Sequence, residues 1–129
     1  MILDTSALVA ILFAEPESDH YIRIIRDADR CRISAANFVE LSMVIERQLG
    51  PEAGRQCDMF FRRAEIVIEP VTIEQAHLAR QGFLDFGKGR HPAGLNFGDC
   101  FAYALAKSAD QPLLYKGTDF SKTDVQAAG

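Results

Sequence analysis

The chain has 129 residues, of which 48% are hydrophobic, and its formal net charge is −4. This composition supplies enough apolar side chains for one globular domain spanning residues 1–129, and it excludes a disordered chain. The negative charge argues against nucleic-acid binding through a global basic field, although 10 of the 14 basic residues are arginines, which suit phosphate contacts at a local rim.

The three cysteines, Cys31, Cys57 and Cys100, are odd in number and lack C-x-x-C spacing. This pattern favours free thiols in a reducing compartment over a disulfide framework or a zinc site. The early apolar run at 8–14 has no basic segment before it, and no apolar run is long enough to span a bilayer. We therefore expect a cytoplasmic protein without a membrane anchor.

Short apolar runs alternate with helical patterns in the first half of the chain. Ser34 is placed to cap one of these helices, and Gly50-Pro51 is placed to end it. The predicted elements are a strand at 2–3, a helix at 6–13, a helix capped by Ser18 or Asp19, a strand at 31–34, a helix at 35–49 and a helix from Pro51.

The second half continues the alternation, and Thr72 and Gln75 have the spacing of a capping box. Its predicted elements are a strand at 66–68, a helix after Thr72, a glycine-rich loop at 87–94, a helix at 97–109, a strand at 112–115 and a short edge strand at 124–125. Strands that alternate with helices predict a parallel sheet covered on both faces. The expected fold class is α/β, as a three-layer α/β/α sandwich with a central parallel sheet.

Four acidic residues occupy positions that such a fold would bring together. Asp4 and Asp119 follow predicted strands, and ligands bind open parallel sheets at the carboxyl ends of their strands. Glu40 lies within the apolar helix at 35–49, and Asp99 lies in the first turn of the helix at 97–109. Because clustered carboxylates repel one another and oxygen ligands suit Mg²⁺ or Mn²⁺, the pattern predicts a hard divalent metal site.

Each acid taken alone also has a structural explanation. Asp4 can cap the helix that follows it, and Ser6 can then orient Asp4 or a metal-bound water. Glu40 can lie at the edge of an apolar stripe, and Asp99 can favour the positive end of its helix dipole. Asp119 can be an ordinary turn residue. The metal site is therefore a prediction from the four positions together.

The segments around these acids resemble PIN-domain ribonucleases and, more narrowly, the VapC toxins of bacterial type II toxin–antitoxin modules. Four segments carry the resemblance: ILDTSAL at 2–8, FVE at 38–40, NFGDCFAYA at 96–104 and LYKGTDFSKTD at 114–124. The similarity extends from residue 2 to about residue 125, and it is most specific around Asp99 and at 117–124.

The resemblance implies a PIN fold and Mg²⁺- or Mn²⁺-dependent cleavage of RNA. It assigns the catalytic and metal-binding roles to the acidic quartet of Asp4, Glu40, Asp99 and Asp119. Asp124 is a nearby alternative for the fourth acid, and Ser6 matches a hydroxyl residue that the family often places two residues after its first Asp. The resemblance also implies a cognate VapB-type antitoxin and a homodimer.

Two other functions stay open for an acidic pocket of this kind. A receiver-like signalling module would place its acids and a lysine differently, and a degenerate PIN fold used only for assembly need not keep all four acids.

Basic residues that fall near loops are candidate phosphate contacts: Arg80, Lys88, Arg90 and Lys116. The Phe60/Phe61 and Phe97/Phe101 pairs are expected in the core or an interface rather than as base-stacking surfaces.

Overall fold

The computed structural model describes residues 1–129 and contains one sheet in the order β3-β2-β1-β4, with all paired strands parallel. The strands are β1 (Ile2–Leu3), β2 (Cys31–Ser34), β3 (Ile66–Glu69) and β4 (Leu113–Leu114). The chain leaves β1 toward β2 and β3, and β4 then pairs with the opposite side of β1. The carboxyl end of β1 is therefore the topological switch point, where parallel sheets bind their ligands.

Six α-helices and one short 3₁₀ helix accompany the sheet. They are α1 (Thr5–Leu12), α2 (Ser18–Asp27), α3 (Ala35–Leu49), α4 (Glu52–Arg63), α5 (Ile73–Phe86), α6 (Phe97–Ala109) and the 3₁₀ helix Phe120–Lys122. No helix combines the length and the apolar composition that crossing a membrane requires.

Two hydrophobic cores lie on the two faces of the sheet. Leu3 and Leu114 face the core that contains side chains of α1 to α4, whereas Ile2 and Leu113 face the core of α5 and α6. Successive residues of β1 and β4 thus bury opposite faces, as the pleat of a strand requires. The three-layer α/β/α sandwich with a central parallel sheet is confirmed.

Two of the predicted helix signals are confirmed and one is wrong. The Ser34 side chain accepts a hydrogen bond from the backbone N–H of Ala36, and α3 ends at Gly50, whose φ is 85°. Neither Ser18 nor Asp19 caps α2, because Glu17 holds the cap position without a side-chain bond. Glu17 already has helical backbone angles, so the chain has turned before Ser18 and an extended capping geometry is lost.

The predicted edge strand at 124–125 is also wrong. The tail contacts the sheet two residues later, through a single parallel bridge between Leu113 and Ala127. The Val125 N–H donates to the Thr123 hydroxyl, and the Asp124 carboxylate binds Lys107, so these residues form a turn. Sequence propensity for a strand is overridden there by local side-chain bonding.

Candidate active site

Asp4 lies directly beyond β1 and is only 3% exposed. Its backbone N–H donates to the Leu114 carbonyl at 2.9 Å, which continues the pairing of β1 with β4. Its Oδ2 caps α1 by accepting from the Ser6 N–H at 3.0 Å and the Ser6 hydroxyl at 2.6 Å. Its Oδ1 is buried without a hydrogen-bond partner. Asp4 is thus a helix cap that also presents one unpaired buried oxygen.

Ser6 links Asp4 to the segment that follows β4. Its hydroxyl accepts a bond from the Lys116 backbone N–H at 2.9 Å while it donates to Asp4. The Lys116 ammonium forms ion pairs with Glu15 at 2.8 Å and Glu17 at 3.4 Å. Lys116 therefore ties this segment to the loop that follows α1. Its role as a phosphate contact stays a prediction.

The Glu40 side chain points from α3 toward the N-terminal ends of α1 and α6. Its Oε1 accepts from the Thr5 hydroxyl at 2.6 Å and from the Asn37 amide at 3.2 Å. Its carboxylate lies so close to Gly98 that any side chain at residue 98 would overlap it. Glu40 is therefore directed inward, and it does not lie at the outer edge of an apolar stripe.

Asp99 begins α6 as part of a complete capping box. Its Oδ2 accepts from the Asn96 N–H at 3.0 Å, and its own N–H donates to the Asn96 side chain at 2.9 Å. The helix-start explanation is therefore correct for Asp99. The neighbouring Gly98 contacts Glu40, so the same turn brings the Asp99 carboxylate into the acidic cluster.

Asp119 and Asp124, the two alternatives for the fourth acid, have different surroundings. Asp119 is exposed and makes no side-chain capping bond, and its charge acts on Asp99. The Asp124 carboxylate binds the Lys107 ammonium at 3.1 Å. Asp119 therefore acts on Asp99 through its charge, whereas the Asp124 carboxylate is paired with Lys107. The role of Asp119 as the fourth acid stays a prediction.

The carboxylates perturb one another electrostatically. The pKa of Asp4 is raised to about 7, chiefly by burial; the Ser6 hydrogen bonds oppose this rise, and the charges of Asp99 and Glu40 contribute to it. Burial also raises the pKa of Asp99, with added repulsion from Glu40 and Asp119. Repulsion among the carboxylates thus contributes to their raised pKa values. A bound cation would offset this repulsion.

The residues fit a hard cation in their chemistry, although no three Asp, Glu, His or Cys side chains are arranged to enclose one ion. The four acids would offer the metal carboxylate oxygens as ligands. Asp4 Oδ1 is buried without a hydrogen-bond partner. Mg²⁺ typically takes one or two carboxylates and keeps several waters. Direct contact from Asp4 and Asp99 would therefore be sufficient, with the other acids acting through water.

Comparison with known proteins identifies the family. A family model described as the PIN domain matches residues 1–126. The chain belongs to the PIN domain family. Within this family it is 50% identical to ribonuclease VapC28 of Mycobacterium tuberculosis over 129 residues, which cover 99% of this chain and 97% of VapC28. The resemblance to VapC proteins is confirmed.

Solved structures share the fold of this PIN domain at low sequence identity. Mycobacterium tuberculosis VapC20, described as a sarcin–ricin loop cleaving toxin, has a TM-score of 0.77 at 17% identity, covering 96% of this chain and 95% of VapC20. VapBC2 from Rickettsia felis, bound to a DNA fragment from their promoter, has a TM-score of 0.72 at 14% identity, covering 98% of this chain and 94% of the matched chain.

Two residues of this PIN domain that bind Glu40, Thr5 and Asn37, were not predicted as site residues. Thr5 is adjacent to Asp4, and Asn37 lies one helical turn before Glu40, so their positions were available signals. Of the two positions expected for Phe97, the core is excluded because the residue is 80% exposed, and an interface stays a prediction. Its edge-to-face contact with Phe101 leaves most of its ring at the surface beside the acidic cluster.

Proposed function

We propose that the chain is a Mg²⁺- or Mn²⁺-dependent endoribonuclease, and that it acts in the cytoplasm as the toxin of a type II toxin–antitoxin module. The observation that carries the proposal is the buried, unpartnered Asp4 Oδ1 within the field of Glu40 and Asp99. The full-length similarity to a protein named a ribonuclease supports RNA as the substrate.

The proposed roles follow from the contacts of each acid. Asp4 and Asp99 bind the metal directly, since both are fixed by backbone bonds at helix starts. Glu40 and Asp119 act on the waters around it. A metal held there would lower the pKa of a bound water and would offset charge on the leaving oxygen of the phosphodiester. No side chain of the cluster needs to form a covalent bond to RNA.

The proposed partners are a VapB-type antitoxin and a second copy of the chain. The structural match from Rickettsia felis is a VapBC complex, which supports a protein antitoxin. Val39, Met43 and Phe97 are exposed apolar side chains around Glu40, and they support a homodimer. We propose that the antitoxin places an Arg or Lys among the carboxylates and competes with the metal, which a fully active purified complex would contradict.

Purified protein should cleave total cellular RNA when Mg²⁺ or Mn²⁺ is present, and EDTA should stop the reaction. The reason is that the uncompensated carboxylates repel a phosphodiester until a cation is bound. RNA fragments would be resolved on denaturing gels, with an Asp19→Asn variant as a control because Asp19 is exposed on α2. Cleavage that persists in EDTA, or no cleavage with either metal, would contradict the proposed function.

A further inference from the structure

Two polar residues, Thr5 and Asn37, are buried between α1, α3 and α6. Thr5 is 8% exposed and Asn37 is fully buried. The Thr5 hydroxyl donates to Glu40 Oε1 at 2.6 Å, and the Asn37 amide donates to the same oxygen at 3.2 Å. One carboxylate oxygen of Glu40 therefore receives two donors from the protein interior.

The Asn37 amide also joins two helices. Besides Glu40, it donates to the Gly98 carbonyl at 2.9 Å, one residue before Asp99. Asn37 Oδ1 has no partner, and a buried polar atom without one costs about 1–3 kcal/mol. An apolar side chain would fill this position without that cost, so packing alone does not explain an asparagine here.

These contacts fix the orientation of Glu40. Because Oε1 is occupied by Thr5 and Asn37, and the carboxylate lies against Gly98, the side chain is restrained on two sides. The short bond from Thr5 is of the charge-assisted kind, which is stronger than a bond between neutral groups. The same network sets the separation of Glu40 from the turn that carries Asp99.

We propose that Thr5 and Asn37 are positioning residues for the cleavage reaction. They hold the Glu40 carboxylate at a fixed position relative to the turn that carries Asp99. The inference rests on the proposed function, because it assigns the network to catalysis by the acidic cluster. It requires that loss of either donor slows the chemical step while RNA binding is unchanged.

Thr5→Val tests the inference, since valine keeps the shape of threonine and replaces the hydroxyl with a methyl group that cannot donate a hydrogen bond. We expect kcat for RNA cleavage to fall about 10- to 100-fold, the usual effect of losing an orienting partner, with KM unchanged. The Mn²⁺ concentration that gives half-maximal rate should rise. Thr5→Ser should restore both values, because serine can donate the same bond. Asn37→Ala should reproduce the fall in kcat.

Ser42→Ala is the matched control, because Ser42 lies on α3 and its hydroxyl donates only to the Phe38 carbonyl at 2.8 Å. Circular dichroism and thermal unfolding would verify the fold of each variant. Wild-type kcat in Thr5→Val, failure of Thr5→Ser to restore it, or unfolding of Thr5→Val would overturn the inference. If the wild-type protein itself does not cleave RNA with metal, the proposed function fails instead.

Discussion

Asp99→Asn should abolish RNA cleavage and leave the fold intact. Asparagine keeps an oxygen that can accept the Asn96 N–H, so the capping box at the start of α6 can survive. It removes the negative charge that a metal ligand supplies at this position. We expect the cleavage rate to fall by at least about 100-fold, more than the loss of an orienting partner causes.

Asp110→Asn is the matched control for this experiment. Asp110 lies at the opposite end of α6, and its φ of 52° is one that asparagine tolerates well. RNA cleavage would be measured for both variants at equal protein concentration, and circular dichroism would report the helix content. Normal cleavage by Asp99→Asn, or loss of its folded structure, would show that the assigned role is wrong.

Asp4→Asn should stabilise the metal-free protein at pH 8. Asp4 has a pKa of about 7 in the folded chain, against an ordinary value of 3.8, chiefly because it is buried. Between pH 3.8 and about pH 7, Asp4 therefore keeps its proton in the folded state, whereas it has lost that proton in the unfolded state. Consequently the free energy of unfolding should fall as pH rises from about 4 to about 7, and asparagine should remove this loss.

The expected size of this effect follows from the same pKa. A tenfold change in proton affinity is worth about 1.4 kcal/mol, so a rise from 3.8 to about 7 corresponds to roughly 4 kcal/mol. The raised pKa of Asp99 has the same sign and should leave a smaller slope in the variant. Urea unfolding in EDTA at several pH values would measure both curves.

The exposed Asp19→Asn variant serves again as the control, because it removes one negative charge without touching the cluster. Its unfolding free energy should follow the wild-type curve with pH. Two results would contradict the account of Asp4 as a buried carboxylate that destabilises the fold when ionised. One is a wild-type protein whose stability rises between pH 4 and pH 7, and the other is an Asp4→Asn variant less stable than the wild type at pH 8.

Much of the fold was predictable because its signals are local. Short apolar runs, the Ser34 cap and the stop at Gly50 each act within a few residues, and the structure contains them. The errors occurred where local signals competed. At Ser18 the chain had already turned, and at 124–125 side-chain bonds from Asp124 and Thr123 formed a turn instead of a strand.

The site was predictable only in part, for a different physical reason. Asp4 and Asp99 stand at helix starts, and Asp4 also follows a strand, so a parallel sheet brings them toward one edge. Their contacts, however, join distant segments: Thr5 meets Glu40 across 35 residues, and Asn37 meets Gly98 across 61. No periodic pattern encodes these two long-range pairs, so they became visible only in three dimensions.

The most direct test of the acidic cluster as a metal site is the effect of Mg²⁺ on unfolding free energy at pH 8, for wild-type protein and Asp4→Asn. A ligand that binds only the folded state stabilises it by an amount that grows with ligand concentration. We predict that wild-type protein gains stability as Mg²⁺ is added, whereas Asp4→Asn gains little. Equal gains in both proteins, or no gain in the wild type, would contradict the account.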